Sequence, residues 1–248
     1  SGPDAANGGS NQPLSMTIKN NWFHDFIPVW KENHAVHVKY RNRIGEISYN
    51  YISGMRMGVA YYYGGPLLGY GQVVIKHNTI DLDYDPGKVT YGGTKDMVMG
   101  ISLYGTGTNA DSIIIRDNIF ANAQWYAIYQ EGATIEGSIS IDNNLFYNNN
   151  WFSWPDYQSP YQWNGTDVAY NVTYGANDTK TIAGWYDGPV GGFTFTNNIN
   201  AKDPLFKLTG TDPEEQWALS YSFSPAYNAA SDGTNIGAWQ GTAPSIFD

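Results

Sequence analysis

The chain has 248 residues, no cysteine, and a formal net charge of −10 from 13 Lys and Arg against 23 Asp and Glu. This acidic balance argues against a nucleic-acid partner, because nucleic-acid binders need a basic footprint. The lack of cysteine excludes disulfides and cysteine-based metal sites, and no apolar run is long enough to predict a membrane span. Aromatic residues make up 16% of the chain, including 20 Tyr and 9 Trp, and such rings suit a hydrated binding face.

The first 15 residues lack apolar periodicity and are rich in Gly, Ser and Asn. This composition predicts a linker or tag over residues 1–15, followed by one folded domain over residues 16–248. A linker-like start favours a module from a longer, multi-domain protein.

A pattern of an apolar residue, two residues of any type, and Asn recurs seven times from residue 18 onward. Its asparagines are Asn21, Asn50, Asn78, Asn118, Asn144, Asn171 and Asn198. They lie 29, 28, 40, 26, 27 and 27 residues apart, which indicates a repeat architecture. Each repeat opens with an alternating stretch typical of a strand. We therefore predict that the asparagines share one turn, bond from coil to coil, and adopt the left-handed backbone that Asn tolerates.

These repeats resemble the right-handed parallel β-helix repeat of the pectate-lyase-like superfamily. Residues 203–206, 224–230 and 235–238 resemble a terminal segment common in bacterial β-helix proteins. The resemblance implies an all-β, single-stranded right-handed parallel β-helix of about seven coils with loop insertions, including a C-terminal capping segment over about residues 209–248. The superfamily contains lyases, hydrolases, epimerases and non-catalytic binders, so the fold does not choose the chemistry.

A second strand in several coils predicts an aromatic column. If Val59, Ile101, Leu103, Ile128 and Ile182 point inward, their neighbours of opposite parity point outward. The predicted outward residues are Tyr62, Tyr104, Tyr129 and Trp185. Stacked coils would set these rings a few ångströms apart, close to the advance of one sugar in an extended glycan.

A second aromatic cluster falls in residues 151–164, where prolines argue against a central strand and predict a loop. Its candidate ligand-binding residues are Trp151, Trp154, Tyr157, Tyr161 and Trp163. Long loops on a rigid scaffold often carry function. The alternative is a hydrophobic flap that covers the core.

The sequence contains no catalytic motif of the pectate lyases, polygalacturonases or uronate epimerases. The best alternative catalytic set is His37, Lys39 and Arg41, which share one strand parity and could supply a base and a cation for lyase chemistry. The other interpretation is a solvated strand face. Asp117 and Asp142 could also pair as carboxylates in adjacent coils, although solvated turn positions are the simpler explanation.

A metal site is suggested only by Asp81, Asp83 and Asp85, whose spacing matches the first three ligands of a calcium loop. Pro86 occupies the place where such a loop needs Gly. The sequence therefore allows a structural calcium and indicates no other cofactor.

The size, acidity and aromatic content are similar to those of carbohydrate-binding module family 89. That resemblance implies a non-catalytic, monomeric module that binds plant cell-wall polysaccharide, with xylan as the expected ligand. It also implies a secreted bacterial protein in which the module is tethered to a catalytic domain such as a xylanase. The alternative is a polysaccharide lyase or glycoside hydrolase acting on a uronate-containing polysaccharide, so the enzyme question stays open while the composition favours binding. An adhesin or structural stalk is a third possibility.

Overall fold

The structure is a computed structural model. It describes residues 16–24, 34–38, 44–55, 57–64, 72–82, 99–106, 112–123, 126–132, 139–149, 161–163, 166–167, 193–200 and 202–242. The linker predicted over residues 1–15 lies outside these residues.

Within the described ranges, eighteen strands form three six-stranded sheets. Sheet A contains β1 (Met16–Lys19), β4 (Ile44–Ser48), β7 (Gln72–Lys76), β10 (Ser112–Arg116), β13 (Ile139–Asp142) and β17 (Phe193–Thr196). Sheet B contains β2 (Trp22–Phe23), β5 (Tyr51–Ser53), β8 (Thr79–Asp81), β11 (Ile119–Ala121), β14 (Leu145–Tyr147) and β18 (Ile199–Asn200). Sheet C contains β3 (His34–Val38), β6 (Met57–Gly64), β9 (Met99–Thr106), β12 (Tyr126–Gly132), β15 (Tyr161–Trp163) and β16 (Thr166–Asp167).

Each of the first four described coils contributes one strand to each sheet. The fifth contributes β13, β14, β15 and β16, and the sixth contributes β17 and β18 to sheets A and B. The strands of successive coils pair in parallel. The exception is β16, which pairs antiparallel with β15. The one helix among the described residues is α1 (Pro213–Gln216), which lies near their C-terminal end. The predicted all-β parallel β-helix is confirmed.

Alternation on the long strands fills the interior of the coils. Strands β7 and β10 bury every second residue. Ile75 and Ile115 are inaccessible to solvent, while the residues that precede them, Val74 and Ile114, are half-buried. On sheet C four of the five predicted inward residues are likewise buried: Val59, Ile101, Leu103 and Ile128. The fifth, Ile182, lies outside the described residues. Burial of this continuous apolar core is the main term that stabilises stacked repeats.

The asparagine ladder is confirmed at six of its seven predicted positions. In the first five of these residues, the side-chain Nδ2 donates to Oδ1 of the Asn in the next coil, at 2.9 to 3.1 Å. The backbone N–H of each donor residue bonds to the same oxygen. The rungs are Asn21, Asn50, Asn78, Asn118, Asn144 and Asn198.

The prediction that Asn171 is a rung is wrong. Asn144 bonds directly to Asn198, 54 residues away, and β13 pairs directly with β17. Adjacent parallel strands lie only about 4.8 Å apart, so no further strand fits between them. The ladder therefore passes from Asn144 directly to Asn198. Asn171 itself lies outside the described residues.

The left-handed backbone belongs to the residue before each ladder asparagine, which corrects the sequence prediction. These residues have φ between 50° and 57°. They are Asn20, Tyr49, His77, Asp117, Asn143 and Asn197. The chain bends at this position, and the following amide can then point inward to bond along the ladder. The bend residues consequently form a second column, on the outside of the coils.

Residues 202–242, here called the C-terminal segment, pack along the outer face of sheet B. The central residues of the sheet B strands, such as Ile80 and Phe120, belong to the interior core. Their flanking residues, such as Ile119 and Leu145, form a separate cluster with Leu219, Ala226 and Ile236 of the segment. Sheet B is therefore buried on both faces. Among the described residues, no helix is long and apolar enough to cross a membrane.

Candidate functional site

The pairing register tests the predicted aromatic column at the level of the backbone. Tyr62 and Tyr104 are Cα partners on neighbouring strands. Tyr129 instead pairs with Ser102, and Glu131 is the partner of Tyr104. Tyr129 therefore lies two residues along the strand from the row that Tyr62 and Tyr104 share. Trp185 lies outside the described residues.

The aromatic loop is only partly within the described chain. Tyr161 and Trp163 lie in β15, which pairs in parallel with β12 and extends sheet C. The loop prediction is thus wrong for these two residues. Both prolines precede them, so the strand keeps its backbone donors and can join the sheet. Trp151, Trp154 and Tyr157 lie outside the described residues.

The alternative catalytic set is described only at His37. Its side chain is exposed on β3, and its ring centroid lies 4.5 Å from that of His34. Lys39 and Arg41 lie outside the described residues, so the grouping of the three side chains stays a prediction.

The carboxylate of Asp81 is buried and forms two side-chain hydrogen bonds. Oδ1 accepts from Nδ2 of Asn122 at 2.7 Å, and Oδ2 accepts from Nε1 of Trp217 at 2.9 Å. Asp81 therefore helps to hold the C-terminal segment. Asp83 and Asp85 lie outside the described residues, and within the described ranges no three His, Asp or Glu residues are grouped to hold a metal.

A groove of about 570 Å³ lies between the first two described coils and the C-terminal segment. We call it the aromatic groove. Its lining residues are Asn20, Asn21, Trp22, Tyr49, Tyr51, Pro213, Glu214, Ala238, Trp239, Gln240 and Gly241. The repeat pattern does not predict this site, because the two walls are at least 162 residues apart in the chain, the separation of Tyr51 and Pro213.

The coil wall of the groove follows from the repeat geometry. Asn20 and Tyr49 are bend residues in the left-handed conformation. Trp22 and Tyr51 open β2 and β5 and are Cα partners. The same turn in consecutive coils thus places equivalent side chains side by side along the groove.

The rings of the groove are held by contacts of their own. Trp22 stacks on His24 with ring centroids 3.6 Å apart, and its Nε1 lies 3.4 Å from Oγ of Ser53. Tyr51 is packed against Trp217, with centroids 5.8 Å apart. Burial, and secondarily the nearby charge of Glu214, raises the pKa of Tyr51 well above its usual range. Its hydroxyl therefore stays neutral and can donate a hydrogen bond.

The described part of the lining combines four aromatic rings with three amide side chains and one carboxylate, and it contains no Lys or Arg. Amides can both donate to and accept from hydroxyl groups. Aromatic walls with a few convergent polar groups are typical of small-ligand sites, and the volume falls within their usual range. The groove is chemically suited to a ligand that is rich in hydroxyl groups and carries no negative charge.

A polar cluster beside the groove joins the coils to the C-terminal segment. Its residues are His77, Asp117 and Asn143 on the coil bends and Ser231, Asp232 and Asn235 in the segment. We call it the anchoring cluster. Asp117 and Asp142 do not pair as carboxylates, because Asp117 bonds within this cluster while Asp142 accepts from Ser140. The coil residues of this cluster could have been recognised in the sequence, because each is a polar residue directly before a ladder asparagine.

The family model for the right handed beta helix region matches residues 5–181. This match spans more than half of the chain, and the chain belongs to the right-handed β-helix family. Comparison with curated proteins and with solved structures finds no match. Membership of this family fits a carbohydrate-active protein.

Proposed function

We propose that the protein is a non-catalytic carbohydrate-binding module that binds a neutral β-linked plant cell-wall polysaccharide in the aromatic groove. The expected ligand is xylan. The observation that carries the proposal is the convergence of Trp22, Tyr51 and Trp239 with amide side chains on one cavity. Indole and phenol rings offer large rigid contact areas to the apolar faces of sugar rings. A module of this kind would keep a secreted bacterial enzyme, such as a xylanase, on its substrate.

The charges around the groove support a neutral ligand over a uronate. Glu214 is the charged residue of the lining. A uronate would therefore meet a like charge from the described lining, which disfavours binding. The cation in contact with a lining ring is Lys19, whose Nζ lies 4.7 Å from the centroid of the Tyr49 ring. Lyase chemistry needs both a cation for the uronate carboxylate and a base beside it, and the lining residues within the described ranges include no Lys, Arg or His.

Isothermal titration calorimetry with xylohexaose, cellohexaose, mannohexaose and an oligogalacturonate tests the proposal. We expect xylohexaose to bind most tightly, the oligogalacturonate most weakly, and salt to have little effect on the neutral ligands. Product analysis on xylan and pectate should run in parallel. Release of unsaturated uronates, or failure of all neutral oligosaccharides to bind, would refute the proposal.

Variants locate the binding site. Trp239→Ala should weaken xylohexaose binding by roughly five- to thirtyfold, by analogy with the roughly 1–3 kcal/mol that one stacked ring contributes in single-strand binders. Phe223→Ala is the matched control, because Phe223 is an exposed ring of the same segment that stacks on Tyr221 and does not line the groove. If Tyr104→Ala weakens binding and Trp239→Ala does not, the site lies on sheet C instead.

A further inference from the structure

The C-terminal segment supplies one wall of the aromatic groove, so the groove exists only while this segment is docked. Trp239, Gln240 and Gly241 face the coil residues Trp22 and Tyr51 across the cavity. The anchoring cluster provides the contacts that fix the position of that wall.

Asp117 is the centre of the docking contacts. Its side chain is 1% exposed. Oδ1 accepts from the Ser231 backbone N–H and from Nδ2 of Asn143, both at 2.7 Å, and Oδ2 accepts from Oγ of Ser231 at 2.6 Å. Its carbonyl oxygen also accepts from the Gly237 N–H at 2.9 Å. A buried carboxylate is stable only when such donors are in place, and most of them come from the C-terminal segment.

His77 forms the second contact. It is also 1% exposed, with Nε2 lying 3.2 Å from Oδ2 of Asp232 and 3.9 Å from Oδ2 of Asp117. Nδ1 lies 3.3 Å from the carbonyl oxygen of Asn235. The two ring nitrogens thus face three oxygen atoms, two of which belong to the segment.

Two routes connect the anchoring cluster to the groove. On the coil side, Tyr49 stacks on His77 with centroids 4.8 Å apart and lines the groove. On the segment side, Nδ2 of Asn235 donates to the Gly241 carbonyl at 2.9 Å, and the Gln240 side chain bonds to both the N–H and the carbonyl of Asn235. The residues that anchor the segment are therefore bonded directly to the residues that line the groove.

We propose that Asp117, His77 and Ser231 are positioning residues for the ligand site, and that docking of residues 229–241 and glycan binding form one coupled equilibrium. This inference rests on the proposed function for its ligand. A ligand that binds only the docked form stabilises that form by the factor 1 + [L]/Kd. Ligand binding should then slow the opening of the whole segment, including parts that do not touch the sugar.

Hydrogen exchange of individual amides tests the coupling. Xylohexaose at 100 times its Kd should slow exchange at Ser231 and Gly237 by up to about 100-fold. Both N–H groups bond to Asp117 and neither residue lines the groove. The control amide is Asn122, which bonds to the Tyr147 carbonyl within the coils and should not change. Slowing at Ala238 without slowing at Ser231 and Gly237 would overturn the proposal.

A second measurement needs no ligand. Ser231→Ala removes the hydroxyl bond to the Asp117 carboxylate and should speed exchange at Gly237 about tenfold or more, the factor expected for a hydrogen bond to a charged group. Ser140→Ala is the matched control, because it removes a Ser–Asp bond of 3.0 Å that lies within one coil. Equal exchange rates in the two variants would refute the positioning role. If no glycan binds at all, the proposed function fails, while this comparison still decides whether the cluster positions the groove wall.

Discussion

Replacement of a central ladder asparagine should destabilise the protein far more than replacement of a terminal one. Oδ1 of Asn118 accepts from the backbone N–H and from Nδ2 of Asn78, both at 2.9 Å. Its Nδ2 lies 2.9 Å from the carbonyl oxygens of Ile75 and Arg116 and from Oδ1 of Asn144. The side chain is fully buried, so water cannot replace these partners in an Asn118→Ala variant.

The magnitude follows from the groups left unpaired. The Asn78 N–H loses its acceptor, and a buried donor without a partner costs about 1–3 kcal/mol. The Ile75 carbonyl loses a donor as well, so we expect a total loss of about 2–4 kcal/mol in the free energy of unfolding. For a chain of this length that corresponds to a fall of about 5–15 °C in Tm.

Asn21→Ala is the matched control, because Asn21 occupies the same turn in the first described coil and is exposed. Its own backbone N–H keeps the 3.0 Å bond to Oδ1 of Asn50. The expected cost is about 0.5–1 kcal/mol. Urea unfolding followed by far-ultraviolet circular dichroism measures both variants. Equal losses, or a loss for Asn118→Ala below about 1 kcal/mol, would refute the argument that buried coil-to-coil amide bonds stabilise the stack.

Acid should loosen the C-terminal segment through Asp232, whose pKa is held below its usual range by the Thr234 hydroxyl and then by the Thr234 N–H and His77. A lowered folded-state pKa means that this stabilisation is complete above about pH 4 and is lost as the pH falls through the folded value. Gly237 exchange in Asp232→Asn should therefore show less acid dependence than in the native chain, and an unchanged profile would contradict this assignment. Gly100→Ala should cost about 2–3 kcal/mol in urea unfolding, because its Cβ would overlap the Ala127 carbonyl; a neutral result would show that the coils can separate there.

The ladder could be predicted from the sequence because every described coil bends at the same position and places an Asn directly after the bend. Asn50, Asn78 and Asn118 follow strands of equal length and are followed by short strands, so the pattern marks the turn directly. The pattern at Asn171 was misleading because a string of four residues does not say which strands pair. That choice depends on the neighbouring coil, and here β13 pairs with β17 across the intervening chain.

The groove could not be predicted from local patterns, because its anchoring contacts join residues 86 to 158 positions apart. The sheet B strands nevertheless contained a second signal in the sequence, which a search for alternating apolar and polar residues overlooks. In Ile119-Phe120-Ala121 and Leu145-Phe146-Tyr147, apolar residues occupy both strand parities. A strand that is apolar on both faces predicts burial on both faces, and a single-stranded coil can bury only one of them in its own interior. The other face therefore required a cover from elsewhere in the chain. The C-terminal segment meets that requirement, and in doing so it brings Trp239 to the groove.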